Sequence, residues 1–157
     1  MLEAEQYELW GEDLQPVTFG SLYPTEKKNP SGPAPRLVVF FVRTFFCGPC
    51  QDYILASVNK LDLQALDEAN VSVIIIANGH KEGIKGYRKA MKCPFPTFTD
   101  PSCGLYSVFN FRCGLDIGSI VAPGYKPKYN KNVLPVQLAQ GFLVSETEEH
   151  LLRPEHG

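Results

Sequence analysis

Two stretches of the chain are apolar without alternation. Arg36-Leu37-Val38-Val39-Phe40-Phe41-Val42-Arg43 and Val71-Ser72-Val73-Ile74-Ile75-Ile76-Ala77 are rich in β-branched and aromatic residues. Runs of this kind predict strands buried on both faces, as in the middle of an α/β sheet. Between them, Gly48 to Ala69 has helical spacing. Leu55, Val58, Leu61 and Leu66 line one side there, with Asp52, Lys60, Asp62 and Asp67 outside. After the turn Asn78-Gly79-His80, a second helix is predicted over Lys81 to Met91. Strand, helix, strand, helix is a βαβ unit, and its strands are expected to be parallel with a right-handed crossover.

The flanks read as shorter pieces. Tyr7 to Trp10 and Pro16 to Phe19 form a hairpin around Gly11-Glu12-Asp13, and Pro24 to Pro35 is a loop by composition. Phe95 to Pro101 predicts a short strand and a turn, and Ser102 to Asn110 a short helix. Phe111 to Val133, with Gly, Pro, Lys and Tyr throughout, is an irregular insertion. Val136 to Val144 and His150 to Arg153 close the chain as a hairpin around Ser145 to Glu149. The 157 residues are expected to form a single domain. Its parts are a hairpin and loop (1–35), a βαβ core with the cysteine motif (36–110), the irregular segment (111–133) and the terminal hairpin (134–157).

Composition narrows the function. The chain is 44% hydrophobic and 20% charged, with a formal net charge of −2. That balance offers no basic footprint for nucleic acid. The densest basic stretch, Lys81, Lys85, Arg88, Lys89 and Lys92, fits the solvated face of the second helix. The first residues carry Glu3, Glu5, Glu8 and Glu12, against a secretory signal. No apolar run approaches the ~20 residues of a membrane span. The expectation is a soluble cytoplasmic protein. Five cysteines, an odd number, also fit a reducing compartment better than a secreted disulfide framework.

Cys47-Gly48-Pro49-Cys50 carries the chemistry. Cys47 falls where a helix begins after a buried strand, and free N–H groups there stabilise an anion. Such a site brings a thiol from ~8.5 toward ~7 or below. The spacing lets Cys50 close a disulfide with Cys47, and Pro49 suits a first helical turn. Cys47 is the expected attacking thiolate, at the more exposed position, and Cys50 the resolving partner. Zinc would need a second pair of closely spaced ligands. Cys93, Cys103 and Cys113 lack that spacing, and His80, His150 and His156 are scattered. No metal site is expected.

The tetrapeptide is that of the thioredoxin active site, and Thr44-Phe45-Phe46-Cys47 matches the T-x-x-C part of the peroxiredoxin motif. Phe95-Pro96-Thr97-Phe98-Thr99-Asp100-Pro101 is similar to the peroxiredoxin F-P-(two apolar)-S-D-P segment. Val42-Arg43-Thr44-Phe45-Phe46-Cys47-Gly48-Pro49-Cys50 and Gln137-Leu138-Ala139-Gln140-Gly141 resemble two elements of a particular branch. This is the peroxiredoxin-like branch of the alkyl hydroperoxide reductase/thiol-specific antioxidant (AhpC/TSA) families, which includes peroxiredoxin-like 2 and prostamide/prostaglandin F synthase proteins. The resemblance implies a thioredoxin-like α/β fold, with a central mixed sheet flanked by helices, an N-terminal hairpin and a peroxiredoxin-like insertion.

It also implies a function. The Cys47/Cys50 pair would cycle between dithiol and disulfide while reducing a hydroperoxide or an endoperoxide. No bound cofactor is called for; an external thiol, thioredoxin or glutathione, would supply electrons. Gly48 and Pro49 support the pair, and Thr44 can donate to thiolate or peroxide. Phe45, Phe46 and Pro96 would line an apolar mouth. Phe40 stands where a peroxiredoxin has proline, and Gln140 where it has a peroxide-binding arginine; Arg43 is the candidate substitute. Thioredoxin's cis-proline has no counterpart at Gln140 or Gly141. Two rival readings stay open: a thioredoxin-like protein-disulfide reductase, and a non-catalytic redox sensor or binding protein.

Overall fold

The computed structural model describes residues 2–111. Five strands form one sheet in the order β2-β1-β5-β4-β3. β3 (Arg36–Val42) and β4 (Val71–Ala77) pair in parallel along their full length, from Arg36 opposite Val71 to Val42 opposite Ala77. The expected parallel pair is therefore present. β5 (Thr97–Thr99) runs parallel to β4, and the hairpin of β1 (Glu8–Trp10) and β2 (Pro16–Thr18) adds antiparallel strands beyond it.

The alternation of side chains along β4 divides the core in two. Val73, Ile75 and Ala77 face one layer, where α2 (Gly48–Ala56) and α4 (Gly83–Met91) supply Ile54, Ile84, Tyr87 and Met91. Ile74 and Ile76 face the other, against Ala4 of α1 (Leu2–Glu5) and Leu105 and Tyr106 of α5 (Gly104–Val108). Helices thus cover both faces of a mixed sheet. Tyr106 bolts its layer to the strands: its hydroxyl lies 2.6 Å from the Val42 carbonyl and 2.9 Å from that of Ile76.

Several details differ from expectation. Among the described residues β3 is an edge strand, and only its last residue, Val42, is buried. The doubly buried strand is β4, whose last five residues are all buried. The helix expected over Gly48 to Ala69 is interrupted. α2 stops at Ala56, a 3₁₀ turn spans Val58–Lys60, and α3 covers Leu63–Glu68. The break has a cause: Asp62 caps α3 by accepting from the N–H groups of Gln64 and Ala65, at 2.9 and 3.2 Å. Leu55, Val58, Leu61 and Leu66 still pack on one core layer, so the periodicity survives the break. α1 was not foreseen; at four residues it is too short to show a period. The expected irregular segment beyond Phe111 and the terminal hairpin lie outside the described residues.

Candidate active site

The C-terminal end of β3 delivers the chain into a tight turn. The Cys47 N–H donates to the Thr44 carbonyl at 3.1 Å, and the Phe46 N–H to Thr44 Oγ1 at 3.4 Å. Thr44 thus holds the turn, and its hydroxyl hydrogen stays available to donate. Cys47 is the N-cap of α2, with Pro49 in the first turn where its missing N–H is harmless. Cys50 follows one turn in. The cysteine pair is where the sequence places it, at a helix start after a strand.

Both cysteines are free thiols, but their exposure is the reverse of expectation. Cys47 is only 5% exposed, and Cys50 is half-buried. The Thr44–Cys47 turn leaves the Cys47 side chain inside, and Phe46, 43% exposed, takes the outward position. Phe45 turns the other way. It is 1% exposed, packs in the core and tilts against the Tyr87 ring at 4.9 Å, so it is a core residue rather than part of a mouth. A Cβ at Gly79 would stand 2.7 Å from the Phe45 ring, so only glycine admits this packing. The exposed apolar residues near the pair are Phe46 and Tyr53, and the Tyr53 ring meets Phe40 edge-on at 6.0 Å. Pro96 is exposed at the head of β5 and lines a groove of about 550 Å³ beside Val71 to Ile74. That groove is at the beginning of β4, the opposite end of the strands from Cys47. Gln140 lies outside the described residues.

The electrostatics separate the two thiols. The Cys50 thiol donates to the Cys47 sulfur and, against the opposing effect of burial, brings Cys47 down to about 6. The Cys50 backbone N–H and the Arg43 guanidinium, which also hydrogen-bonds the sulfur, add to the lowering. Cys50 is pushed well above the ordinary thiol range, first by holding that hydrogen bond, then by burial and by the neighbouring charge. At neutral pH the pair is therefore one thiolate and one thiol. Arg43, the candidate substitute cation, lies close enough to Cys47 to act on it.

Two other residues at the site stand outside the cysteine motif. Gln51, 3% exposed, donates from Nε2 to the Phe45 carbonyl at 2.7 Å and fastens the turn to α2. Tyr87, fully buried on α4, backs the pair, and the thiols at 50, 93 and 47 join burial in raising its phenol. Among the described residues, no group of three or more His, Cys, Asp or Glu is arranged to hold a metal ion.

Comparison with known proteins agrees with this architecture. The sequence profile of the AhpC/TSA family matches residues 28–123, more than half of the chain. The chain belongs to the AhpC/TSA family. Among AhpC/TSA relatives, Peroxiredoxin-like 2C of Bos taurus is 28% identical over 120 residues, covering 76% of this chain and 47% of the relative. The Homo sapiens Peroxiredoxin-like 2C is 29% identical over 120 residues with the same coverage. The chain spans about half the length of these curated relatives. The solved Bacterioferritin Comigratory Protein of Xanthomonas campestris aligns with a TM-score of 0.53 at 14% identity, over 70% of this chain and 62% of that one. Peroxiredoxin Q of Xanthomonas campestris aligns with a TM-score of 0.53 at 15% identity, with the same coverage. At that identity the likeness is one of fold, and the fold is thioredoxin-like, as expected. No helix among the described residues is long and apolar enough to cross a membrane.

Proposed function

We propose that this protein is a thiol peroxidase working through a Cys47/Cys50 dithiol–disulfide cycle. The observation that carries the reading is the division of labour within the pair. Cys47, at the start of α2, is brought to about 6, while Cys50, one turn in, keeps its proton. The Cys47 thiolate attacks an O–O bond of a hydroperoxide or endoperoxide. With a hydroperoxide, sulfur loses two electrons and becomes a sulfenic acid, and the other oxygen leaves in an alcohol. The Cys50 thiol then condenses with the sulfenic acid, its proton leaving with the sulfenic hydroxyl as water, which closes the Cys47–Cys50 disulfide. An external thiol such as thioredoxin or glutathione restores the pair by exchange. No prosthetic group takes part. Arg43 steadies the thiolate, Thr44 holds the turn, and Gly48 and Pro49 shape the helix start.

The test is a single turnover. Fully reduced protein is mixed with one equivalent of an organic hydroperoxide, and free thiols are followed by stopped flow. The reading expects fast loss of two thiols, none in Cys47→Ser, and a trappable sulfenic acid in Cys50→Ser. Loss no faster than that of free cysteine would contradict it. A second reading, reduction of another protein's disulfide, is favoured by the exposed Phe46 and Tyr53 near a Cys-Gly-Pro-Cys pair. Insulin reduction at the rate of a thioredoxin control would move the function there.

A further inference from the structure

Two buried polar atoms near Cys47 have no hydrogen-bond partner among the described residues: Gln51 Oε1 and Arg43 Nε. Orphans of this kind are rare inside folded proteins. Gln51 follows Cys50 directly and is 3% exposed. Its amide orientation is fixed by chemistry. The Phe45 carbonyl at 2.7 Å can only accept, so the NH₂ faces it and Oε1 is the end left over. Its position is fixed too. The Gln51 N–H donates to the Cys47 carbonyl at 2.9 Å, so Gln51 stands one turn beyond Cys47 on the same helix face. Helical side chains lean toward the N-terminus, which lays this amide along the 45–47 turn. Arg43 arrives from the end of β3. Its guanidinium hydrogen-bonds the Cys47 sulfur, yet Nε–H is unused. The site thus holds one unused acceptor and one unused donor on either side of the nucleophile in sequence.

We infer that Gln51 Oε1 and Arg43 Nε–H bind the O–O–H group of a hydroperoxide, and that the site discriminates against peroxides with no O–H. The inference rests on the peroxidase reading and narrows its substrate class. Gln51 Oε1 accepts the hydroperoxide hydrogen, which presents the outer oxygen to Cys47. Arg43 Nε–H donates to the inner oxygen. The thiolate attacks the outer oxygen, the S–O bond forms and the O–O bond breaks. Sulfur is oxidised by two electrons, and the sulfenic acid keeps the peroxide's own hydrogen. The inner oxygen leaves as an alkoxide held by Arg43 and takes a proton from water to become the alcohol. An endoperoxide or a disulfide leaves Gln51 Oε1 unsatisfied, and a site built to bond an O–H rejects analogues lacking one.

Stopped-flow rates of thiol loss decide it. The probes are tert-butyl hydroperoxide, the bicyclic endoperoxide ascaridole and dithiobis(nitrobenzoate), each rate divided by that of free cysteine. In the wild type, acceleration for the hydroperoxide is expected to exceed that for ascaridole roughly 10- to 100-fold. Gln51→Leu also frees the Phe45 carbonyl and is expected to slow all three, but to lower the hydroperoxide rate by roughly 10- to 100-fold more than the other two. Equal loss with all three probes would mean that Gln51 only fastens the turn, and an unchanged hydroperoxide rate would mean that it does nothing; either overturns the inference. If the variant does not fold, the wild-type ratio alone decides. Rapid ascaridole turnover overturns the inference and leaves the peroxidase reading standing. No acceleration with either peroxide overturns both.

Discussion

Cys47 and Cys93 are the same residue at almost the same depth, 5% and 6% exposed, and both are free thiols. Their acidities move in opposite directions. Cys47 caps the start of α2, receives hydrogen bonds from Cys50 and lies beside Arg43, which brings it to about 6. Cys93 sits two residues past the end of α4, where its N–H closes onto the Arg88 carbonyl at 3.1 Å. Burial pushes its thiol up, and weaker contacts with the Phe95 backbone, Arg88 and Thr97 do not compensate. Burial therefore does not decide reactivity here. Donors aimed at sulfur decide it, and a helix start supplies them while a helix end presents carbonyls.

The largest effect is expected from exchanging roles. Cys47→Ser should cut hydroperoxide-driven thiol loss by roughly 1,000-fold, the scale of losing a nucleophile, while Cys93→Ala stays within about twofold. Peptide-mapped thiol loss checks both.

Next comes the donor. Cys50→Ala removes the largest cause of the lowering, so Cys47 should climb from about 6 toward its ordinary value of 9.0. Thiolate absorbance against pH reads this directly. Arg43→Gln should move Cys47 the same way by less, because the guanidinium contributes less than Cys50.

A thiol whose acidity is increased by folding favours the folded state at high pH. That stability is fully present above the unfolded value of 9.0 and is lost as pH falls through about 6. Attack on hydroperoxide should likewise rise through about pH 6 and level off near neutrality. Denaturant titration of the reduced protein and rate measurements across that window check the two arms.

The smallest effect on chemistry is expected at Tyr106. Tyr106→Phe loses its hydrogen bonds to Val42 and Ile76 and should lower stability by about 1–3 kcal/mol. The Cys47 titration should stay in place, since Tyr106 is not among the groups that set it.

Much of this was readable in the linear pattern, because local features carried it. The Val71–Ala77 run fixed β4, and Pro49 after an apolar run fixed the helix start at Cys47. The break in the long helix was written in Asp62, a good N-cap, but the continuing leucine period masked it. The exposure of Cys47 and the inward turn of Phe45 were not legible, because both depend on packing against α4 across the sheet layer. Gln51 left a faint trace, a polar residue four positions after Cys47 on an otherwise apolar face. Its meaning appears only when Phe45 is seen to take one end of its amide. Pro96 was drawn to the site by its family motif, yet strand register carries it to a groove at the other end of β4.

The most direct test is residue-resolved alkylation of the reduced protein with iodoacetamide across pH 4 to 10. The account predicts that Cys47 reacts with a midpoint near 6, well before Cys50 and Cys93, whose thiols are both raised above the ordinary value of 9.0. A Cys47 midpoint near 9.0, rising together with Cys93, would contradict it.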